Sequence, residues 1–515
     1  MSTPLVLKKL NLPDMTRLAE EVAFMLSPGD CIALTGELGA GKTTFARALI
    51  RAASGERELE VPSPTFTLTQ LYETPRFEIA HLDLYRIETP NEVEELGIEA
   101  ALLRGIAVIE WPERGEDRMP TADFILSFTD DGDGDNDTRS VTMSSNTASA
   151  PRLARFTEIR DFLSVSASAG TDYHLSYLQG DASPRRYARL IDGNGKRSIL
   201  MDSPKQGDGP PIQNGLPYSQ IAHLAEDVRP FAAISTALNE RGFSAPEIFA
   251  HDLNDGLLLI EDFGDAVFGS EVKRGRDQAN LWQRATDTLI ALRASPPIQM
   301  PLPDGTDYQL PKIDRHVLNI ETQLLLDWYW PSVFGKPAHS DIELQFTRAW
   351  SPLFDAVLAA PFGWLLRDFH SPNLIALDNR KPPRDVGIID FQDAMIGPHA
   401  YDLVSLLQDA RVDVSADLET NLIERYLEQV STTEAHFDAD QFRFVYAALG
   451  AQRNTKILGI FARLAKRDGK RQYLTHLPRI WGYLARNLAH PGLTELAAWY
   501  DAHLPADIRR RGIAL

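Results

Sequence analysis

Apolar residues recur along this chain at two periods, and the change of period divides it. Leu18, Val22 and Met25 follow helical spacing behind a candidate cap at Asp14. Pro28-Gly-Asp30 ends that helix, and Cys31-Ile-Ala-Leu-Thr35 reads as a short buried strand. Phe124-Ile-Leu-Ser-Phe128 and Ser140-Val-Thr-Met143 also have strand character, so Asp130-Asp-Gly-Asp-Gly-Asp-Asn-Asp137 between them reads as the charged tip of a hairpin. A calcium loop is the competing reading of that tip, but the closing glutamate is absent. Up to this point strands and helices alternate as for a parallel sheet. Ser144–Ala154 is polar and aperiodic, which predicts a first domain over residues 1–148 and a flexible linker over 149–158. In the remaining domain, residues 159–515, strand-like segments run to about residue 202 and return at Pro246–Glu261, then give way to long helical stretches. That is the outline of a small strand-rich lobe and a larger helical lobe.

Composition narrows the class. The 515 residues exceed one ordinary core, and 43% hydrophobic with 24% charged residues is a globular balance. The lone cysteine, Cys31, excludes an internal disulfide framework and fits a reducing compartment. Met1–Leu10 lacks the apolar core of a secretion signal, and no run approaches the roughly 18 apolar residues of a membrane span, so a cytoplasmic location is expected. A net charge of −20 argues against tight, sequence-independent nucleic-acid binding by this chain alone. Arg509, Arg510 and Arg511 are expected to form a solvated tail.

Two stretches carry phosphate chemistry. Gly36, Glu37, Leu38, Gly39, Ala40, Gly41, Lys42, Thr43 and Thr44 follow a strand and open a helix, the context of a P-loop. Its glycines let backbone N–H groups approach the phosphates, Lys42 brings a charge to them, and the Thr43 hydroxyl is a magnesium ligand. Ser63-Pro-Thr65-Phe66 is a rigid turn with two hydroxyls, placed as a nucleotide-sensing loop. Asp83 in His81-Leu-Asp-Leu-Tyr-Arg86 is the candidate second magnesium-side group, and Glu110, ending the strand before Trp111, the candidate to orient the attacking water. Capping or ion-pairing with Arg86 is the alternative for both carboxylates. In the second half, Asp368 and Asn373 lie five apart and Asp390 follows 17 residues later. Phosphoryl transfer to a hydroxyl needs a carboxylate for its proton, here Asp368, and an amide and a carboxylate at magnesium, here Asn373 and Asp390.

The motifs Gly36–Thr44, Ser63–Phe66, His81–Arg86 and Glu110–Glu113 resemble the TsaE (YjeE) family over about residues 5–145. The resemblance implies an ATPase serving threonylcarbamoyladenosine synthesis at tRNA position 37, with TsaB and TsaD as partners and the tRNA held by them. It places Lys42 at the phosphates, Thr43 and Asp83 at magnesium, and Glu110 with Trp111 in hydrolysis. Residues 170–500 resemble the aminoglycoside phosphotransferase and choline kinase superfamily. Within it, Gly180–Tyr187, Ile199–Pro204, Ile389–Ala394 and Gln452–Arg463 look like the AmgK kinases, which phosphorylate the anomeric hydroxyl of N-acetylmuramate and N-acetylglucosamine in cell-wall recycling. The expected architecture is therefore an α/β P-loop NTPase domain followed by an α+β two-lobed protein-kinase-like domain, using ATP and magnesium at both sites. The alternative acceptors are an aminoglycoside, choline or another small alcohol. A non-catalytic module regulating the ATPase is the third reading.

One departure stands out: Met201 lies where a kinase strand carries its phosphate-pairing lysine. Arg186, Arg189 and Lys205 are the candidate replacements, and Gly180 and Ser183 belong to the expected phosphate-covering turn. Glu261-Asp-Phe-Gly264 falls where the hinge between lobes is expected. For the acceptor, Trp328-Tyr-Trp330 is a candidate stacking surface or simply core, and His370 an acceptor contact or loop support. Arg453, Lys456 and Arg463 share a helical face and are candidates for a sugar carboxylate or for surface salt bridges.

Overall fold

The computed structural model describes residues 3–130, 138–166, 173–178, 185–213, 215–293, 299–511 and 513. The chain forms two compact units, Met1–Pro204 with Phe249–Asp262, and Lys205–Ile248 with Phe263–Leu515. It passes between them three times, after Pro204, Ile248 and Asp262, and the last of these falls within Glu261-Asp-Phe-Gly264. Among the described residues no helix is long and apolar enough to cross a membrane.

The first unit holds a seven-stranded sheet built around Cys31–Gly36. That strand runs parallel to Phe124–Asp130 on one side and to Gly105–Glu110 on the other, and Glu78–Asp83 is parallel beyond. Edge strands are antiparallel: Thr69–Glu73 at one side, Arg139–Ser145 and Leu5–Leu10 at the other. Alternate residues of the central strand feed opposite cores, as pleating requires. Ile32 and Leu34 meet Leu18 and Val22 of the helix Leu12–Met25 and Phe45 and Leu49 of the helix Lys42–Ser54. Cys31 joins Ala80, Leu82 and Ile109 on the other face. Asn11, not Asp14, caps the first helix. Its Oδ1 accepts the Asp14 N–H at 2.9 Å, while the Asp14 carboxylate accepts the Asn11 N–H at 3.2 Å, a reciprocal capping box. Phe124–Asp130 and Arg139–Ser145 form the expected hairpin, but its tip, residues 131–137, lies outside the described residues, and so does the calcium-loop reading.

A five-stranded antiparallel sheet completes this unit, ordered Ile248–Asp252, Leu257–Glu261, Arg197–Asp202, Arg186–Asp192 and Tyr173–Leu178. The segment expected as a linker at 149–158 is instead part of the helix Ala150–Ser166. Leu153, Phe156, Ile159 and Leu163 form one helical stripe, and all four are buried. The first two enter the core of the P-loop sheet, whereas Ile159 and Leu163 enter the core of the antiparallel sheet. Polar residues at Ser144–Asn146 and Pro151 hide this stripe in the sequence because they occupy only its approach and first turn.

Direct contacts join the same two cores. Phe24 of the helix Leu12–Met25 packs with Tyr173, Leu175, Leu190 and Leu259. Two buried carboxylates of that helix reach the strand Tyr173–Leu178: Glu20 accepts the Leu175 N–H at 2.8 Å, and Glu21 accepts the Tyr173 hydroxyl at 2.5 Å and pairs with Arg160. Arg152 bridges to Asp30 at 2.6 Å, and the Arg76 guanidinium lies 4.0 Å from the Tyr177 ring centre.

The second unit is mostly helical. Its longest helix, Ala439–Arg467, packs against Arg315–Leu324, Ala400–Leu407 and Leu477–Leu488. Two short antiparallel strand pairs, Phe362–Leu365 with Met395–Pro398 and Leu374–Ala376 with Val386–Ile388, frame the loop that carries Asp368. Tyr329 and Trp330 are core residues: the Tyr329 hydroxyl accepts the Trp481 indole N–H at 3.2 Å, and Trp330 packs on Phe334 and Trp499. Arg509 is no solvated tail. It lies in a short C-terminal helix, donates to Asp501 at 2.8 Å and sits over the Trp481 ring.

Candidate active sites

At the P-loop, Gly36, Gly39 and Gly41 all have positive φ, the conformation in which a Cβ is disfavoured. A Cβ on Gly36 would also strike the Phe128 carbonyl. This backbone turns the chain from the central strand into the helix Lys42–Ser54. Lys42 is 4% exposed and donates to the carbonyls of Gly36 at 2.7 Å and Glu37 at 2.9 Å, with its ammonium 3.6 Å from the centre of the Trp111 ring. Burial pushes its proton affinity down, against the opposing pull of Glu110, Glu113 and Asp83.

The parallel register sets Asp83 beside Glu110, and Glu110 beside Leu34 of the P-loop strand. Both carboxylates thus stand at the C-terminal edge of the sheet, the usual place for ligands in such folds. Their partners differ. Glu110 accepts the Thr43 hydroxyl at 2.6 Å and meets His81 Nε2 at 2.9 Å, whereas Asp83 accepts the Thr65 hydroxyl at 2.8 Å, the Ser63 hydroxyl at 3.2 Å and the Tyr85 N–H at 3.1 Å. Phe66, the last residue of that turn, is 81% exposed and carries the Arg86 guanidinium over its ring. His81 received no role from the sequence. Its signal was the two-residue spacing from Asp83, which puts both side chains on one face of a strand.

In the second unit Asp368, Asn373 and Asp390 come together. The Asn373 amide donates to the Asp368 carbonyl at 3.0 Å and to Asp390 Oδ2 at 3.3 Å, and Gln392 donates to Asp390 Oδ1 at 2.8 Å. The Ile389 N–H donates to the Asn373 carbonyl at 3.0 Å, extending the pairing of Leu374–Ala376 with Val386–Ile388 by one position and setting Asn373 next to Asp390. Arg367 and Asp390 both have positive φ, conformations that neighbouring contacts must hold in place. Asp402 supplies one such hold, accepting the N–H groups of Leu366 at 2.6 Å and Arg367 at 2.8 Å. Burial pushes the Asp402 carboxyl up to about 7 in spite of those two donors. Asp368 goes the other way. Burial alone would raise it, but His370, 3.7 Å away, together with Arg453 and Lys456, holds it below the usual carboxylate range.

Arg367 reaches back to Glu321 at 2.6 Å and to the Ala222 carbonyl at 2.8 Å. Glu321 also accepts Lys456 at 2.6 Å and Gln452 at 2.8 Å, and although burial opposes it, Lys456 and Arg367 hold Glu321 down to about 2. Asp402 and Glu321 escaped the sequence reading because their partners lie 35 or more residues away.

Of the candidate phosphate cations, Arg186 is paired with Asp202, which Arg155 also holds at 2.7 Å, and Arg189 is paired with Asp262 at 2.7 Å. Met201 is fully buried between Leu258 and Tyr187 in the sheet, and Lys205 is exposed. Gly180 and Ser183 lie outside the described residues.

Comparison with known proteins separates the two sites as well. Residues 10–141 match the family model for threonylcarbamoyl adenosine biosynthesis protein TsaE, and residues 174–445 that for the phosphotransferase enzyme family. The N-acetylmuramate/N-acetylglucosamine kinase of Caulobacter vibrioides is 36% identical over 361 residues, covering 67% of this chain and 96% of the relative. Its namesake in Pseudomonas aeruginosa is 32% identical over 319 residues, covering 61% of this chain and 84% of the relative. The tRNA threonylcarbamoyladenosine biosynthesis protein TsaE of Rickettsia bellii is 43% identical over 113 residues, covering 22% of this chain and 78% of the relative. The chain therefore belongs to the phosphotransferase enzyme family and carries, in the same polypeptide, a P-loop domain of the TsaE family.

Proposed function

We propose that this chain is a two-site enzyme: an ATPase serving tRNA threonylcarbamoyladenosine synthesis, joined to a kinase for the anomeric hydroxyl of N-acetylmuramate and N-acetylglucosamine. The grouping of Asp368, Asn373 and Asp390 on a strained, well-anchored loop carries the kinase reading, and similarity along nearly the whole of a named sugar kinase supports the acceptor. The anomeric oxygen attacks the γ-phosphorus of ATP, the bond from that phosphorus to the bridging oxygen of ADP breaks, and the hydroxyl proton passes to Asp368. A carboxylate kept ionised is ready to orient the hydroxyl and take its proton. Asn373 and Asp390 offer the hard oxygen donors that suit magnesium, which supplies charge neutralisation across the phosphates when bound.

At the P-loop, Lys42 serves the β and γ phosphates. The hydroxyl of Thr43 is bonded to Glu110, so Glu110 with Thr43 is the better magnesium-side pair, while Asp83, tied to the Ser63–Thr65 turn, is the better group to orient water. This exchanges the roles expected for the two carboxylates. Family membership supports TsaB and TsaD as the partners this ATPase serves, with the tRNA held by them.

The test uses the full chain. Sugar 1-phosphate, detected directly, is expected with N-acetylmuramate and lost in Asp368→Asn; slow phosphate release without sugar is expected to persist in that variant and to vanish in Lys42→Ala. Product only with choline or an aminoglycoside overturns the acceptor. ATP binding at the P-loop that survives Lys42→Ala unchanged, or failure to copurify with TsaB and TsaD, counts against the first half. Met201 and the paired Arg186 and Arg189 favour a second reading, a non-catalytic kinase-like module, which tight ATP binding without any phosphorylated product would support.

A further inference from the structure

Three cations of the helix Ala439–Arg467 share a face, and the fold treats them differently. Lys456 is spent on Glu321. Arg463 is half-buried, with its guanidinium 5.8 Å from the Tyr218 ring centre. Arg453 is only 5% exposed, yet among the described residues its guanidinium makes no hydrogen bond and no ion pair, and its Nε is buried without a partner. Its guanidinium lies 5.9 Å from the centre of the Tyr401 ring, and the Tyr401 hydroxyl is itself buried without a hydrogen-bond partner among the described residues.

A buried guanidinium is costly unless an anion answers it. Around the catalytic loop the cations are Arg367, Lys456 and Arg453, and the carboxylates are Glu321, Asp368, Asp390 and Asp402. Glu321 already serves both Arg367 and Lys456, and Asp402, with its carboxyl raised to about 7, is a poor counter-charge. Asp368 feels Arg453 but does not pair with it among the described contacts. Arg453 is therefore a buried cation that none of these carboxylates pairs with among the described residues, and its charge is felt at Asp368, the group that receives the acceptor's proton. Such a charge suits an anion that arrives with the substrate.

We propose that Arg453 is a specificity-determining residue of the acceptor site, receiving the carboxylate of an acidic amino sugar. N-Acetylmuramate carries a lactyl carboxylate and N-acetylglucosamine has none, so Arg453 distinguishes the two acceptors. The inference rests on the kinase reading above. An oxygen of the phosphoryl group in transfer is the other anion with the same chemistry, and the two sources separate in kinetics: a carboxylate contact acts on the binding of one sugar, a phosphoryl contact on turnover of both.

The experiment measures kcat and KM for each sugar with the full chain, following sugar 1-phosphate directly, in the unaltered protein, Arg453→Gln and Arg453→Lys. The expected result is a rise in KM for N-acetylmuramate of about tenfold or more in Arg453→Gln, partly restored in Arg453→Lys, with N-acetylglucosamine changed by less than about threefold. A fall in kcat shared equally by both sugars assigns Arg453 to the phosphoryl group and overturns the proposal, as does an unchanged KM. A second arm needs no variant: the methyl ester of N-acetylmuramate should show the same rise in KM with the unaltered protein, and an ester as good as the acid overturns the proposal. If the unaltered chain phosphorylates neither sugar, the kinase reading itself has failed.

Discussion

Asp402 holds the start of the catalytic loop through two backbone N–H groups while buried in surroundings that favour its neutral form. The consequence has a definite sign. A carboxyl with a folded value of about 7, above its ordinary 3.8, binds its proton more tightly when folded. Its contribution to stability is full below about pH 4 and is lost as pH rises through 7. His399, lowered by burial to about 4, works in the opposite direction below its ordinary value of 6.5, so the informative quantity is the difference between the unaltered chain and Asp402→Asn. Urea midpoints taken from pH 5 to 8 should fall with pH more steeply in the unaltered chain than in the variant, and parallel curves would contradict the assignment. Residues of this kind were hidden in the sequence, whereas Lys42, Thr43, Asp368, Asn373 and Asp390 were visible. The visible ones stand at short, chemically dictated spacings, while the partners of Asp402, Glu321 and Glu110 are set by folding across 29 to 135 residues.

Elements were legible where one period ran unbroken. Cys31–Gly36, buried on both sides, and the hairpin strands Phe124–Asp130 and Arg139–Ser145 announced themselves, but the three-residue strand Leu374–Ala376 is too short to show any pattern. The helix Ala150–Ser166 was missed for another reason: its apolar stripe divides between two cores, and its first turn reads as linker. The helix Leu12–Met25 is divided in the same way, with Leu18 and Val22 in one core and Phe24 in the other. Phe24→Ala should therefore destabilise by about 3–5 kcal/mol, as large-to-small changes at buried phenylalanine do. Hydrogen exchange is the telling measurement. Protection should fall in Tyr173–Leu178 as well as in Leu12–Met25, and a loss confined to the helix would show the two cores to be independent.

At the scale of the whole molecule, two ATP-using enzyme families occupy one chain, and the division recognised by the family models, 10–141 and 174–445, is not the division of the fold. The P-loop sheet and the antiparallel sheet belong to one compact unit, joined by Arg152 to Asp30, Glu20 and Glu21 to the strand Tyr173–Leu178, and Phe24 in the shared packing. The architecture expected from the motifs, a P-loop domain followed by a two-lobed kinase-like domain, holds as to type. What the motifs did not carry is the absence of slack between the P-loop sheet and the antiparallel sheet, because it is written in contacts 122 to 155 residues apart.

That absence of slack turns the joint into a matter of phase. Along Ala150–Ser166 the distance from Phe156 to Ile159 fixes an angle as well as a length, since every residue of an α-helix advances the side chains by about 100°. A single alanine inserted after Thr157 adds only about 1.5 Å, trivial for a tether, but swings Ile159 and Leu163 off the face that Leu153 and Phe156 keep. Thermal unfolding should show a clearly lower midpoint for that insertion than for the conservative replacement Glu158→Gln at the same turn; equal midpoints would mean the helix behaves as a tether after all. The two sheets of this unit are keyed together like gears on one shaft, and a change of length there is read as a change of rotation.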